Sequence, residues 1–295
     1  MNAPAPRASA SRRLAWGLAS LVVAGALGCL WLDHYGALLV LPQSGHAGWI
    51  AVGLLCLLLE LPVRVLRTAM LLRPPVRARV LLRPILAAHA MDLLGPPLAG
   101  DVGEVVFVGR AAECGAASAL HTLLLRMTLT VAALCLMAAG ATAHLQPVGA
   151  LALAVLGVAL ARFAHLLMIP IGRLLRPGDP PPHRLEDRRL PGHLGLALAE
   201  VLLPGLALVA LAAGLGDPMP IWLGLATVAG LELLTYVPMP LGGIGLQHWG
   251  MVGLIGWLAP ESPTPALLAV AWHGALLLVA GVGGVVALAM GTRHD

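Results

Sequence analysis

Long apolar runs alternate with short polar connections along this chain, and the lengths of those runs set the first expectation. A helix needs about 17 to 25 apolar residues to cross a hydrocarbon core of about 30 Å. Such runs fall at roughly 14–32, 47–66, 119–140, 148–171, 194–215 and 265–290, which predicts six full crossings. Two further apolar stretches, roughly 84–112 and 221–259, are interrupted by Pro and Gly. Non-helical backbone at membrane depth is tolerated only where it is buried in protein or lines a watery cavity, because lipid offers free N–H and C=O groups no partner. Both stretches are therefore expected to enter the bilayer and return, and broken segments of this kind mark a candidate site.

Composition agrees with the pattern. Of 295 residues, 59% are hydrophobic and 11% charged, whereas soluble domains carry roughly 25% charged residues. A water-soluble fold could not hide so much apolar surface. The expected fold class is an all-α integral membrane protein of about six transmembrane helices plus two re-entrant helical hairpins, in a single polytopic domain over 1–295. The 35 Gly suit close helix packing in lipid. All basic residues are Arg, which beside so much Ala and Gly reads as a GC-rich bacterial genome before it reads as a phosphate site. Basic residues in an apolar chain fix topology, so the net charge of +4 implies no nucleic-acid partner. Cys29, Cys56, Cys114 and Cys135 lie singly without metal-ligand or redox spacing. Neither a metal nor a cofactor is expected.

The Arg distribution orients the spans. Arg7, Arg12 and Arg13 precede Leu14–Leu32, which is long enough, and lacks the cleavage site, to be a retained first span rather than a signal peptide. Dense Arg groups follow the second span (Arg64, Arg67, Arg73, Arg77, Arg79, Arg83) and the fourth (within 172–193), while 141–147 and 216–220 contain none. By the positive-inside rule these Arg-rich connections and both termini are cytoplasmic, in a bacterial inner (plasma) membrane. The charge rule holds only if 84–112 enters from and returns to the cytoplasm and 221–259 does the same from outside.

The two broken stretches also resemble each other. Asp92-Leu93-Leu94 precedes Pro97-Leu98-Ala99-Gly100-Asp101-Val102-Gly103, and Glu232-Leu233-Leu234 precedes Pro240-Leu241-Gly242-Gly243-Ile244-Gly245. Each leads into a long span with one titratable residue about two turns in, Arg126 or His273. A first half at about 47–140 and a second at about 194–291 would then form an inverted repeat, an arrangement transporters use to set a midplane site between discontinuous helices.

At these residues the chain resembles the flippase-like transmembrane family typified by the membrane part of lysylphosphatidylglycerol synthase. That family carries a pattern close to Asn-x-x-x-Pro-x-x-x-Gly-Glu-x-x-Arg, met here in stretched form by Pro97, Gly103, Glu104 and Arg110. An Arg in the next helix corresponds to Arg126, and a Pro-x-x-Gly-Gly-x-Gly element to Pro238, Pro240, Gly242, Gly243 and Gly245. The resemblance spans about 50–295. Gln247 and His248 stand where the family has Glu, and His273 where it often has Arg. The resemblance implies paired re-entrant segments and a role in moving or presenting polar lipids. The soluble aminoacyl-transfer domain of the synthases has no counterpart here, so their activity is not implied.

Ionisable residues inside a span cost about 2.5–3.5 kcal/mol on insertion scales, so they are paired or face water. Glu104, Arg110 and Arg126 are the expected group, because a guanidinium fork matches a lipid phosphate in a bidentate way. The competing reading is a structural ion pair. Gly100 and Gly103 would let the backbone approach a headgroup, with a helix N-terminus after Gly103 adding N–H donors. Gly243, Gly245 and His273 form the second candidate group, although a lone His on an apolar helix is more often a packing residue. Glu60, Asp92, Glu200 and Glu232 stay open, with pairing to Arg64 at i,i+4 spacing one reading for Glu60. No His-Glu-x-x-His run, phosphate loop or Gly-x-Ser-x-Gly elbow occurs, so the chain is not expected to be an enzyme. The expected function is translocation or binding of a polar or anionic phospholipid or glycolipid without ATP hydrolysis. Alternatives are a scaffold or accessory subunit presenting a lipid to a partner enzyme, with or without homo-oligomers, and a membrane-embedded lipid-modifying transferase.

Overall fold

A computed structural model describes residues 47–72, 75–94, 99–175, 189–235, 244–260 and 265–290. These residues form nine helices and no strand: α1 (Ala47–Leu71), α2 (Ala78–Leu94), α3 (Ala99–Ala111), α4 (Gly115–Thr142), α5 (Pro147–Leu175), α6 (Leu190–Gly214), α7 (Ile221–Thr235), α8 (Ile244–Leu258) and α9 (Pro265–Met290). Five of them, α1, α4, α5, α6 and α9, are long and apolar enough to cross a membrane. They coincide with the five predicted spans between 47 and 290. The span predicted at 14–32 and most of the loop at 172–193 lie outside the described residues.

The two interrupted stretches are each a pair of short helices. The arms α2, α3, α7 and α8 have 17, 13, 15 and 15 residues, or about 20–25 Å at 1.5 Å per residue, short of a hydrocarbon core. α2 and α3 fold back on each other so closely that a Cβ on Gly100 would lie 2.8 Å from the Ala88 carbonyl oxygen and would collide with Asp92. In the second pair Gly230 faces Leu254, and Gly250 faces Leu231 and Leu234.

Turn chemistry sets the reversals. Between α3 and α4 the chain turns through Glu113 (φ 54°) and Gly115 (φ 75°). At the end of α6, Gly216 takes φ 82°. There the Asp217 N–H donates to the Ala212 carbonyl and the Gly216 N–H to that of Ala213, a Schellman closure that caps the helix's last carbonyls.

α1 and α6 pack side by side and antiparallel: Gly53 sits against Ala207 and Leu211, while Arg67, farther along α1, reaches Glu200, farther back on α6. Around that seam the contacts form two matching sets. α1 touches α2 and α4, α2 touches α3, and α3 touches α4; likewise α6 touches α7 and α9, α7 touches α8, and α8 touches α9. Contacts between the sets are exchanged in the same way, with α2 on α9 and α7 on α4. α5 has no counterpart. It packs on α4, seating Gly157 against the Ala132 carbonyl and Cys135, and turns Val148, Leu151, Val155 and Phe163 outward.

The ends of the bundle differ in chemistry. One gathers Trp49, Trp222 and Trp257, with His144 edge-on to Trp222 at 4.7 Å. Trp at this level suits a membrane–water interface. The other end carries exposed Arg77, Arg79, Arg83 and Arg110.

Candidate functional site

The first turns of α3 and the C-terminal half of α1 bring charged residues into the interior. On α1, Glu60, Arg64, Arg67 and Thr68 recur at helical spacing and so share one stripe. Across from them stand Glu104 on α3, Arg126 and Thr130 on α4, and Glu200 on α6. Arg67 is 0%, Glu104 2% and Arg126 5% exposed, so these ions are removed from both water and lipid and must satisfy one another.

Glu104 is the centre of the first group. Its carboxylate accepts a two-pronged bond from Arg126, Nη1 to Oε1 at 2.5 Å and Nη2 to Oε2 at 2.9 Å. Arg64 Nη2 donates to the same Oε2 at 3.0 Å. Arg126 Nη1 also donates to the Thr68 hydroxyl at 3.0 Å. Two guanidiniums thus converge on one anionic group, a geometry suited to any planar or tetrahedral oxyanion.

The second group locks the helices that hold the first. Arg67 donates to Glu200 across the α1–α6 seam, to the Thr130 hydroxyl at 2.7 Å and to the Arg126 backbone carbonyl at 2.7 Å. Thr130 in turn donates to the same carbonyl at 3.0 Å. One fork therefore ties α1, α4 and α6 together just behind the Arg126 side chain. Glu60, Asp92 and Glu232 lie within Coulombic reach of this network.

Of the residues expected from sequence, Glu104 and Arg126 meet. Arg110 does not join them: six residues on from Glu104, it is rotated about 120° around α3 and about 9 Å along it, and it is exposed at the helix end. Arg64 occupies the second cationic position instead. Glu60 consequently does not take Arg64 as its ion-pair partner; Arg64 reaches across to Glu104. α3 begins at Ala99, so its N-terminus lies before Gly103, and Gly100 and Gly103 serve the contact with α2 at Asp92 and Met91. His273 is buried in α9, with Nδ1 3.1 Å from the Ala269 carbonyl, the arrangement of a packing residue. Gly245 lies in the first turn of α8, while Pro97, Pro238, Pro240, Gly242 and Gly243 are outside the described residues. Among the described residues no group of His, Cys, Asp and Glu is arranged to hold a metal ion.

Arg64 and Arg67 went unrecognised as site residues because they sit at and just past the end of a predicted span, where Arg is read as a topology signal. The signal available was the helical stripe Glu60, Arg64, Arg67, Thr68. Fold and buried charge together define a multi-pass, all-helical membrane protein with an ionised core. No family model, curated protein or solved structure matches the chain.

Proposed function

We propose that this protein binds and translocates a polar lipid with an anionic headgroup, without ATP hydrolysis and without covalent chemistry, as a relative of the flippase-like family. The observation that carries this reading is the convergence of Arg64 and Arg126 on Glu104. In the lipid-free state Glu104 fills the place of a headgroup phosphate. When a phosphodiester takes the two guanidiniums, Glu104 withdraws with α3, and one anion replaces another. The arginines are never left with uncompensated charge in a dry interior, which would be strongly unfavourable.

The architecture supports a transport role. The antiparallel α1–α6 seam and the exchanged hairpin contacts fit an inverted repeat, with α2–α3 and α7–α8 as re-entrant arms from opposite faces and the charged site near mid-depth. The Arg-bearing end would face the cytoplasm of a bacterial inner membrane and the Trp-bearing end the outside.

The test is movement of a labelled anionic phospholipid across vesicles containing the purified protein. Wild type is expected to accelerate it, Arg126→Ala to abolish it with normal folded yield, and Arg126→Lys to retain part of it, keeping the charge but losing the fork. Wild-type protein that moves no lipid, yet retains lipid in native mass spectrometry, would replace translocation by lipid presentation.

A further inference from the structure

We infer that Arg77, Arg79, Arg83 and Arg110 form a docking surface for the phosphates of anionic lipids in the adjoining leaflet. All four are exposed. Arg79 and Arg83 stand one turn apart on α2, and Arg110 ends α3. Leu81 and Ile85 of α2 share an apolar cluster with Val108 of α3, which sets the start of α2 and the end of α3 at one level. Arg79 and Arg83 share the face of α2 opposite the stripe of Leu81 and Ile85, so the four arginines lie at one level around the mouth of the first hairpin. Glu113 is the acidic residue of that end among the described residues, so positive charge dominates.

Helix stability does not account for this placement. The N-terminus of a helix carries positive partial charge and favours acidic neighbours, yet the first turn of α2 has no acidic residue, contains Arg79 and is preceded by Arg77. Arg77 and Arg79 here oppose the helix dipole, and an anion seated beside them relieves both repulsions. An Arg-bearing end is expected at the headgroup level of a membrane, and Arg bonds phosphodiesters in a bidentate way. Each Arg near an anionic surface contributes about five-fold in affinity.

Arg110 is six residues from Glu104, about 9 Å along α3, so a headgroup held at the mouth is one short step from Arg64 and Arg126. That onward step rests on the proposed role of the inner pair; docking itself rests on the exposed arginines alone.

Full-length protein in nanodiscs of phosphatidylcholine with a minority of phosphatidylglycerol separates the two. Native mass spectrometry of retained lipid is expected to show phosphatidylglycerol enriched on wild type and the enrichment weakened by added salt. R79Q/R83Q/R110Q should lower it at least ten-fold, and R110Q alone about five-fold, which keeps the test open if the triple variant folds poorly. In Arg126→Ala transport should be lost while the part of the enrichment that R79Q/R83Q/R110Q removes persists, so that failure of the inner site is distinguished from failure of the patch. Equal enrichment in wild type, R110Q and the triple variant, or none in wild type, overturns the docking surface and leaves these arginines a role in topology only.

Discussion

The Glu104 carboxylate compensates two guanidiniums at once, so its removal has a larger effect than loss of a single hydrogen bond. Glu104→Gln removes the carboxylate hydrogen-bonded to both Arg64 and Arg126 and is expected to destabilise the fold by about 3–5 kcal/mol, visible as a lowered unfolding temperature in detergent. An unchanged temperature would mean that water or lipid already solvates the arginines. Arg67 and Glu200 should behave as a unit: each Ala variant alone leaves a buried charge, whereas the double variant costs clearly less than the sum, which a double-mutant cycle measures. Glu104 and Arg126 were legible in the sequence because an ion within an apolar run is conspicuous. Arg64 was not, since a residue at a span's end has two physical explanations and only the packing of α3 against α1 separates them. Arg110 was misplaced for a related reason, because proximity in sequence does not put two residues on one face of a helix.

Among the elements, the first hairpin depends on a backbone contact that only Gly permits. At Gly100 an added methyl meets the α2 backbone at Ala88 and Asp92, which cannot yield without separating the arms. At Gly205 the nearest atom is the end of the Leu225 side chain, 2.5 Å away, which can rotate. Gly100→Ala is therefore expected to lower the thermal midpoint well below that of Gly205→Ala, and Gly100→Ala should also expose Glu104 to modification by a water-soluble carbodiimide. Equal midpoints would show that α2 and α3 are held together elsewhere. The breaks in both hairpins were legible from Pro and Gly. The start of α2 was not: the segment from Arg77 to Arg83 reads as a loop by charge, but Arg is a good helix former and the helix begins at Ala78, running through Pro84.

For the molecule as a whole, the opposition of an Arg-bearing and a Trp-bearing end predicts orientation. In a background free of native cysteines, probes at 77 and 110 are expected to react only from the cytoplasm, and those at 145 and 218 only from outside. Reaction of 77 and 145 from the same side would contradict the antiparallel path of α1 and α4. The likeness of Asp92-Leu93-Leu94 to Glu232-Leu233-Leu234 pointed to two halves, but the partner of each hairpin was invisible in sequence, because α2 rests on α9 and α7 on α4, contacts made between distant segments. That exchange has a consequence for how the protein is made. A ribosome delivers α1 to α4 to the membrane first, yet α2, which packs on α1 and α3, also rests on α9, the last of the nine. Glu104 can meet Arg64 and Arg126 as soon as α4 is in place, but Arg67 waits for Glu200 on α6 and the far side of α2 waits for α9, so the charged core is completed in steps as the second half is delivered.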